Sequence, residues 1–350
     1  MIGILTLIMA HTAVAATMFP LLMAIHSLYD DTDKPTRFGK GLFIGMAFTA
    51  GAGSIVTLLG SARAAVAIGF FKDIVKRDVG FFELSWYMLP IGWGMIALLW
   101  VFIILVFRPE RNTIPGLRER SRTLYAKLGP ITRNEILTLV IVLGCIAVLS
   151  LRSFVPVFKP LDKSGIILVS TVLFFVLGIL DLKDLEEIPW NIVLLFGGAM
   201  SIGLCLWKTE AANWMAVEWL ALFVSAPKIV FILGMAFFVL IMTNFIMNVA
   251  AIAISMPVAL VIANYLGVAP EVILFVSLTT AGMPFLLLVG AAPNAIAYGS
   301  GQFKSGEFFA YGVPASALLM VVLWIFVWLI WPLMGMPVFV ETAAASSALP

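Results

Sequence analysis

Apolar runs separated by short polar stretches organise this chain of 350 residues from end to end. Runs long enough to cross about 30 Å of hydrocarbon fall at 41–71, 84–107, 135–151, 164–180, 189–207, 271–301 and 307–334. Two other apolar stretches, 1–28 and 228–266, have small or polar residues near their middles. That pattern predicts helix, bend, helix: re-entrant hairpins that enter and leave a membrane on one side. The runs at 41–71 and 271–301 carry glycines and polar residues at mid-depth, and predict helices broken near Gly60 and Gly290. Unwound backbone at that depth needs a lining of protein or water, because lipid offers its N–H and C=O groups no partner.

The interruptions recur in order. GSARAAVAIG (60–69) is answered by GAAPNAIAYG (290–299), and upstream AHTAVAATMFP (10–20) is answered by MNVAAIAISMP (247–257), each of the latter two closed by proline. Paired, Gly/Pro-interrupted apolar segments at corresponding places in two halves point to the substrate site of an inverted-repeat transporter. Charge sets the orientation. The stretch Arg108–Asn134 holds the densest positive cluster, including Arg111, Arg118, Arg120, Arg122, Lys127 and Arg133, and is expected on the cytoplasmic side with Lys34, Arg37 and Lys40. Lys72–Glu83, Arg152–Lys163, Trp207–Lys228 and the C-terminus then fall outside. The first hairpin opens inward and the second outward, the opposite insertion that an inverted repeat requires.

This reading divides the chain into a first repeat at 1–107, a cytoplasmic linker at 108–134, a second repeat at 135–340 and a disordered tail at 341–350. Three apolar helices precede the second hairpin and none precedes the first, so internal symmetry predicts roughly a hundred further residues of scaffold ahead of Met1 in a longer protein. The opening MIGILTLIMAHTAVAA imitates a signal-peptide core with a cleavage site around Ala13–Ala15. No basic residue precedes Lys34, and a leader has no reason to resemble 247–257, so the segment is expected to stay.

Composition agrees with a membrane protein: 62% of residues are hydrophobic, 11% are charged and the mean hydropathy is +1.11. A net charge of +2 gives no footing for a nucleic-acid partner. Cys145 and Cys205 lie inside apolar runs and read as small buried hydrophobes. Phosphate-loop, nucleophile-elbow and His-Glu-x-x-His motifs are all missing, so catalysis is not indicated and no organic cofactor is expected.

The stretches DLEEIPWNIVLLFGGAMSIG (184–203), TNFIMN (243–248) and AAPNAIAYGSG (291–301) resemble the divalent-anion sodium symporter family, which includes dicarboxylate and citrate transporters. In that family each repeat carries Ser-Asn-Thr at its hairpin tip and a Thr-Pro-Pro-Asn-like signature at the following helix break. Here the tips map to Ala10, His11, Thr12 and to Met247, Asn248, Val249, while the breaks map to Ser61, Ala62, Arg63, Ala64 and to Ala291, Ala292, Pro293, Asn294. The resemblance implies substrate contacts from His11, Thr12, Ser61, Arg63, Asn248, Ala291, Pro293 and Asn294. It implies one sodium site at Thr243, Asn248 and free carbonyls near Ile246 and Gly290, and another at Thr6, Gly60 and Thr12. Alanine at 10 removes a hydroxyl from the first site, and His11 replaces an amide. A homodimer joined through the scaffold, with an elevator-like movement of the core, is implied as well.

Arg63 is the sharpest single residue. A guanidinium in an apolar helix normally pairs or marks a ligand path, so it is expected to clamp an anion through its planar donor fork or to stand in for a sodium. The alternative is a structural arginine capping free carbonyls. His11 reads as a proton shuttle, a substrate contact or a packing residue, and His26 as interfacial. Trp214 and Trp219 predict an external interfacial helix, and Asp30, Asp31 and Asp33 a solvated loop. The expectation is an all-α, multi-pass protein of the cytoplasmic membrane, acting as a secondary transporter of small anions such as carboxylates, with sodium as candidate co-ion. Two alternatives remain: a proton-coupled or exchange-type relative, and a non-transporting remnant or partner subunit.

Overall fold

The computed structural model describes residues 1–29, 34–111, 131–154, 163–186, 226–246 and 248–340, together with 122, 205, 208 and 209. The run 189–207 (apart from Cys205), the helix expected around Trp214 and Trp219, most of the 108–134 linker, the acidic loop Asp30, Asp31 and Asp33, Met247 and the tail 341–350 lie outside the described residues. The described chain is helical, with one isolated antiparallel bridge between Val268 and Phe339.

Its first part runs α1 (Ile2–Leu5), α2 (His11–Tyr29), α3 (Arg37–Gly53), a 3-10 turn at Leu58–Gly60, α4 (Ala62–Val75) and α5 (Phe81–Val106). Then come α6 (Arg133–Phe154), α7 (Lys163–Val176) and the short α8 (Leu182–Glu186). The last part runs α9 (Lys228–Phe245), α10 (Asn248–Leu266), α11 (Pro270–Gly282), a 3-10 turn at Leu288–Gly290, α12 (Ala292–Tyr298), α13 (Ser305–Ile325), a π-helical turn and α14 (Trp331–Leu333). Among the described residues, five helices have the length and apolar character to cross a membrane: His11–Tyr29, Phe81–Val106, Lys228–Phe245, Asn248–Leu266 and Ser305–Leu333.

Both expected breaks are present, and local chemistry explains each. In the first, Thr57 Oγ1 accepts the Gly60 N–H at 3.2 Å and Ser61 Oγ accepts the Arg63 N–H at 3.3 Å, so short polar side chains replace the helical partners. In the second, Pro284 cannot continue α11, and Pro293 suits the first turn of α12 because its missing N–H has no helical partner there. Pro20 and Pro257, which end the two matched motifs, lie inside α2 and α10. Neighbouring helices can shelter the backbone freed by an interior proline, and α10 packs on α4, α9 and α11.

The two parts interlock by exchange. α10 packs on α4, while α12 packs on α2 and α3. Phe48 of α3 reaches the second break, its ring 4.5 Å from Phe285 and 5.5 Å from Phe308. Trp331, fully buried, donates its Nε1–H to the Tyr87 carbonyl at 3.1 Å. Ion pairs close the ends: Lys40 at the start of α3 binds Glu307 at the start of α13, and Arg77 before α5 binds Glu271 at the start of α11. α5 instead lies at the periphery, with Trp86, Trp93 and Trp100 exposed as lipid-facing residues would be.

Two residues depart from their sequence reading. His26 is buried, and its Nε2 lies 3.2 Å from Thr36 Oγ1, while Gln302 Oε1 accepts the Thr36 N–H at 3.1 Å. Gln302 thereby fastens the loop before α13 to the start of α3, beside His26. Cys145 is buried, but Cys205 is exposed; in a chain of this kind an apolar run can face lipid as well as core.

Candidate functional site

The site forms where the two interrupted helices meet. α3 and α11 end side by side: a Cβ on Gly51 would stand 3.1 Å from the Gly282 carbonyl oxygen. Each half-helix C-terminus carries about half a negative charge, so two together favour a cation. Arg63 supplies one. It is 1% exposed, and its Nη2 donates to Ser54 Oγ at 2.6 Å. The same nitrogen lies 2.8 Å from where a Cβ on residue 282 would be, so any larger residue there would have to displace the guanidinium. No acidic side chain pairs with Arg63 among the described residues, and its Nη1 has no hydrogen-bond partner.

The connection between α1 and α2 closes on the first break. Thr57 Oγ1 donates to the Leu7 carbonyl at 2.8 Å, and Thr6 Oγ1 donates to Gly3 O at 2.9 Å. The carbonyls of Ser54 and Thr6 would stand 2.7 and 2.8 Å from a Cβ on residue 60, which makes glycine obligatory there. His11 Nδ1 lies 3.4 Å from Gly60 O. A carbonyl only accepts, so this contact assigns the proton to Nδ1.

The end of α9 closes on the second break through different groups. Asn244 Oδ1 accepts the N–H groups of Leu286 and Leu287, both at 2.9 Å, while its Nδ2 donates to Leu240 O at 2.7 Å. Thr243 Oγ1 donates to Ala281 O at 3.1 Å, and the Thr243 carbonyl would stand 3.2 Å from a Cβ on Gly290. Asn294 Nδ2 donates to Pro284 O at 2.8 Å and to Leu287 O at 3.1 Å. A continuous path thus runs from Thr243 through Ala281, Gly282, Arg63 and Ser54 to the first tip.

The structure therefore joins Thr6, His11, Gly60, Ser61 and Arg63 on one side, and Thr243, Gly290 and Asn294 on the other. Asn248 begins α10, is buried, and accepts the Val249 N–H on Oδ1 at 3.2 Å. Ile246 is the extended residue between α9 and the second tip. Ala291 caps α12 in extended geometry, with Pro293 buried behind it. Thr12 is half-buried in the first turn of α2, and no hydrogen bond ties it to the others among the described residues.

Ser54, Thr57 and Asn244 are central to this geometry and were not singled out from the sequence. Their signal was a short polar residue three to six places before Gly60, or beside Thr243, inside an apolar run. No group of three or more His, Cys, Asp or Glu side chains suited to a metal occurs among the described residues. An ion here would need backbone and neutral side-chain oxygens.

Comparison with known proteins places the chain. It is 23% identical, over 96% of its length and 69% of the relative's, to a sodium-dependent dicarboxylate transporter of Staphylococcus saprophyticus. It is 27% identical to an uncharacterized transporter of Methanocaldococcus jannaschii, over 87% of this chain and 66% of the relative, and 27% identical to an uncharacterized transporter of Haemophilus influenzae, over 91% and 68%. The chain thus spans about two thirds of the length of the curated relatives it matches. The family described as the sodium:sulfate symporter transmembrane region matches residues 2–337, and the chain, a multi-pass integral membrane protein, belongs to that family.

Proposed function

We propose that this chain is the core of a secondary carrier for small carboxylate anions, in which an inverted repeat brings two re-entrant hairpins and two broken helices together around Arg63. The observation that carries this reading is the guanidinium itself: buried, without an acidic partner among the described residues, and with Nη1 unpaired at the seam of both breaks. Burying an arginine at mid-membrane costs about 2.5–3.5 kcal/mol on insertion scales. An oxyanion in the site would offset that cost through charge-assisted hydrogen bonds to the free donors.

The element order supports the repeat: hairpin, interrupted helix and closing helix occur twice, with reciprocal packing of α4 on α10 and of α12 on α2. Relatives named as sodium-dependent dicarboxylate transporters support carboxylate cargo and sodium coupling. At the second tip the carbonyls of Thr243 and Ile246, the backbone at Gly290 and Asn248 Oδ1 are the oxygens we assign to a sodium carried with the anion. Residues 1–107 and 135–340 are the two repeats in this proposal, joined by a cytoplasmic linker at 108–134, and the chain works as a homodimer. Carriage of this kind makes and breaks no covalent bond.

Uptake of labelled succinate into proteoliposomes, with and without an inward sodium gradient, tests the reading. Arg63→Ala is expected to lower uptake by more than about 30-fold, a loss of ~2 kcal/mol, while the protein still inserts and elutes as a single species. Unchanged uptake in that variant removes Arg63 from the anion site. Uptake that ignores the sodium gradient but requires a counter-anion inside the vesicle assigns the chain to exchange.

A further inference from the structure

The two breaks provide for charge in different ways. Aligned by the repeat, Arg63 and Ala64 stand where the second half has Pro293 and Asn294, His11 stands in place of Asn248, and Ser54 in place of Pro284. The second break is tied by neutral amides, those of Asn244 and Asn294. The first is tied by a guanidinium on Ser54 Oγ and by an imidazole N–H on the Gly60 carbonyl.

We infer that the first half carries its cation within the chain: Arg63, with His11 on the Gly60 carbonyl, takes the place of an ion, so this half binds no sodium and any coupled sodium enters at the second half alone. The inference rests on the carrier reading above and sets its ion stoichiometry.

Three observations carry it. Two oxygens at the first break already face donors of the chain's own cationic or imidazole groups: Gly60 O accepts from His11, and Ser54 Oγ accepts from Arg63. The ends of α3 and α11, which together attract about one unit of positive charge, already have one in contact through Ser54 and Gly282. A second cation a few ångströms from a buried guanidinium is repelled without the screening that water or salt provides. The second half has no charged side chain at the equivalent positions, so its carbonyls at Thr243 and Ile246 meet no competing cation.

The test counts labelled sodium bound per purified chain in detergent, at saturating salt. We expect one, lost on Thr243→Ala combined with Asn248→Ala. Two per chain, or one that survives the second-half substitutions, overturns the inference. None at all removes the sodium proposal for the second half while agreeing with a first half that needs no ion.

The sharper arm transplants the second half into the first with His11→Asn, Arg63→Pro and Ala64→Asn. This variant is expected to bind one sodium more than its parent, and a folded variant that binds no more overturns the inference. If it does not fold, the count on the parent and on its second-half variant decides alone.

Discussion

The first and second breaks have the same backbone plan and opposite polar wiring. In the first, the break reaches for the tip: Thr57 donates to the Leu7 carbonyl. In the second, the end of α9 reaches for the break: Asn244, aligned with Leu7 by the sequence echo, accepts from Leu286 and from Leu287, which aligns with Thr57. The polar side chain has changed sides while the union of tip and break has been kept. What must be preserved is the satisfaction of buried, unwound backbone, and either partner can provide it. Charge follows no such equivalence, because Arg63 has no counterpart at Pro293.

That contrast can be broken most forcefully at the contact between the halves. Gly282→Ala places a methyl 2.8 Å from Arg63 Nη2 and 2.3 Å from Ile55 Cγ2, an overpacking of ~2–3 kcal/mol. Succinate uptake is expected to fall about tenfold or more, with a lower thermal midpoint. Gly94→Ala, which meets nothing within 4 Å, is the control and should leave both unchanged.

Asn244→Leu gives the second tip the residue of the first without a Thr57 to compensate. Two backbone N–H groups lose their acceptor, for an expected loss of ~2 kcal/mol measured by thermal unfolding in detergent. Adding Leu287→Thr, which copies the first half's solution, should recover part of it. No recovery in the double variant means that the two unions are not interchangeable. Thr57→Val removes one hydroxyl of similar shape from the first half and should cost ~1 kcal/mol by the same measurement.

The smallest effect lies at the rim. Glu110 receives the N–H groups of Arg37 at 2.6 Å and Phe38 at 3.3 Å, and the Tyr29 hydroxyl at 3.2 Å, so it fastens the start of α3 to the end of α2. Partial burial pushes its carboxyl upward, but these donors outweigh it and hold the group below the ordinary carboxylate value. A lowered folded pKa stabilises above the unfolded value of about 4.3, and the gain is lost as pH falls through the folded value. The thermal midpoint should therefore drop between pH 5 and pH 3 by slightly more in the parent than in Glu110→Gln. Equal slopes would detach this carboxylate from the stability of α3.

Much of this arrangement was legible beforehand, and the reason is local. Gly60, Gly290 and Pro293 in the middle of apolar runs mark places where a helix is weakened, and a lone arginine among alanines marks a charge that needs a partner. Pro20 and Pro257 give the same local signal, yet their helices continue. Proline removes one donor wherever it stands, but whether the helix ends there depends on which neighbours shelter the freed carbonyl. The burial of His26 is set in the same way by other elements: Thr36 Oγ1 meets its Nε2, and the ring of Phe43 in α3 lies 6.2 Å away.

The order of apolar and interrupted segments, the sequence echo between the two parts and the family are properties of the sequence alone, since periodicity and residue type act within a few positions of one another. Only the tertiary structure decided that Arg63 rests on Ser54 and against Gly282, that His11 meets the Gly60 carbonyl, and that Asn244 rather than a threonine holds the second break. Unwound backbone must find partners, but several side chains of suitable chemistry lie within reach in sequence, and packing between distant helices selects which of them arrives.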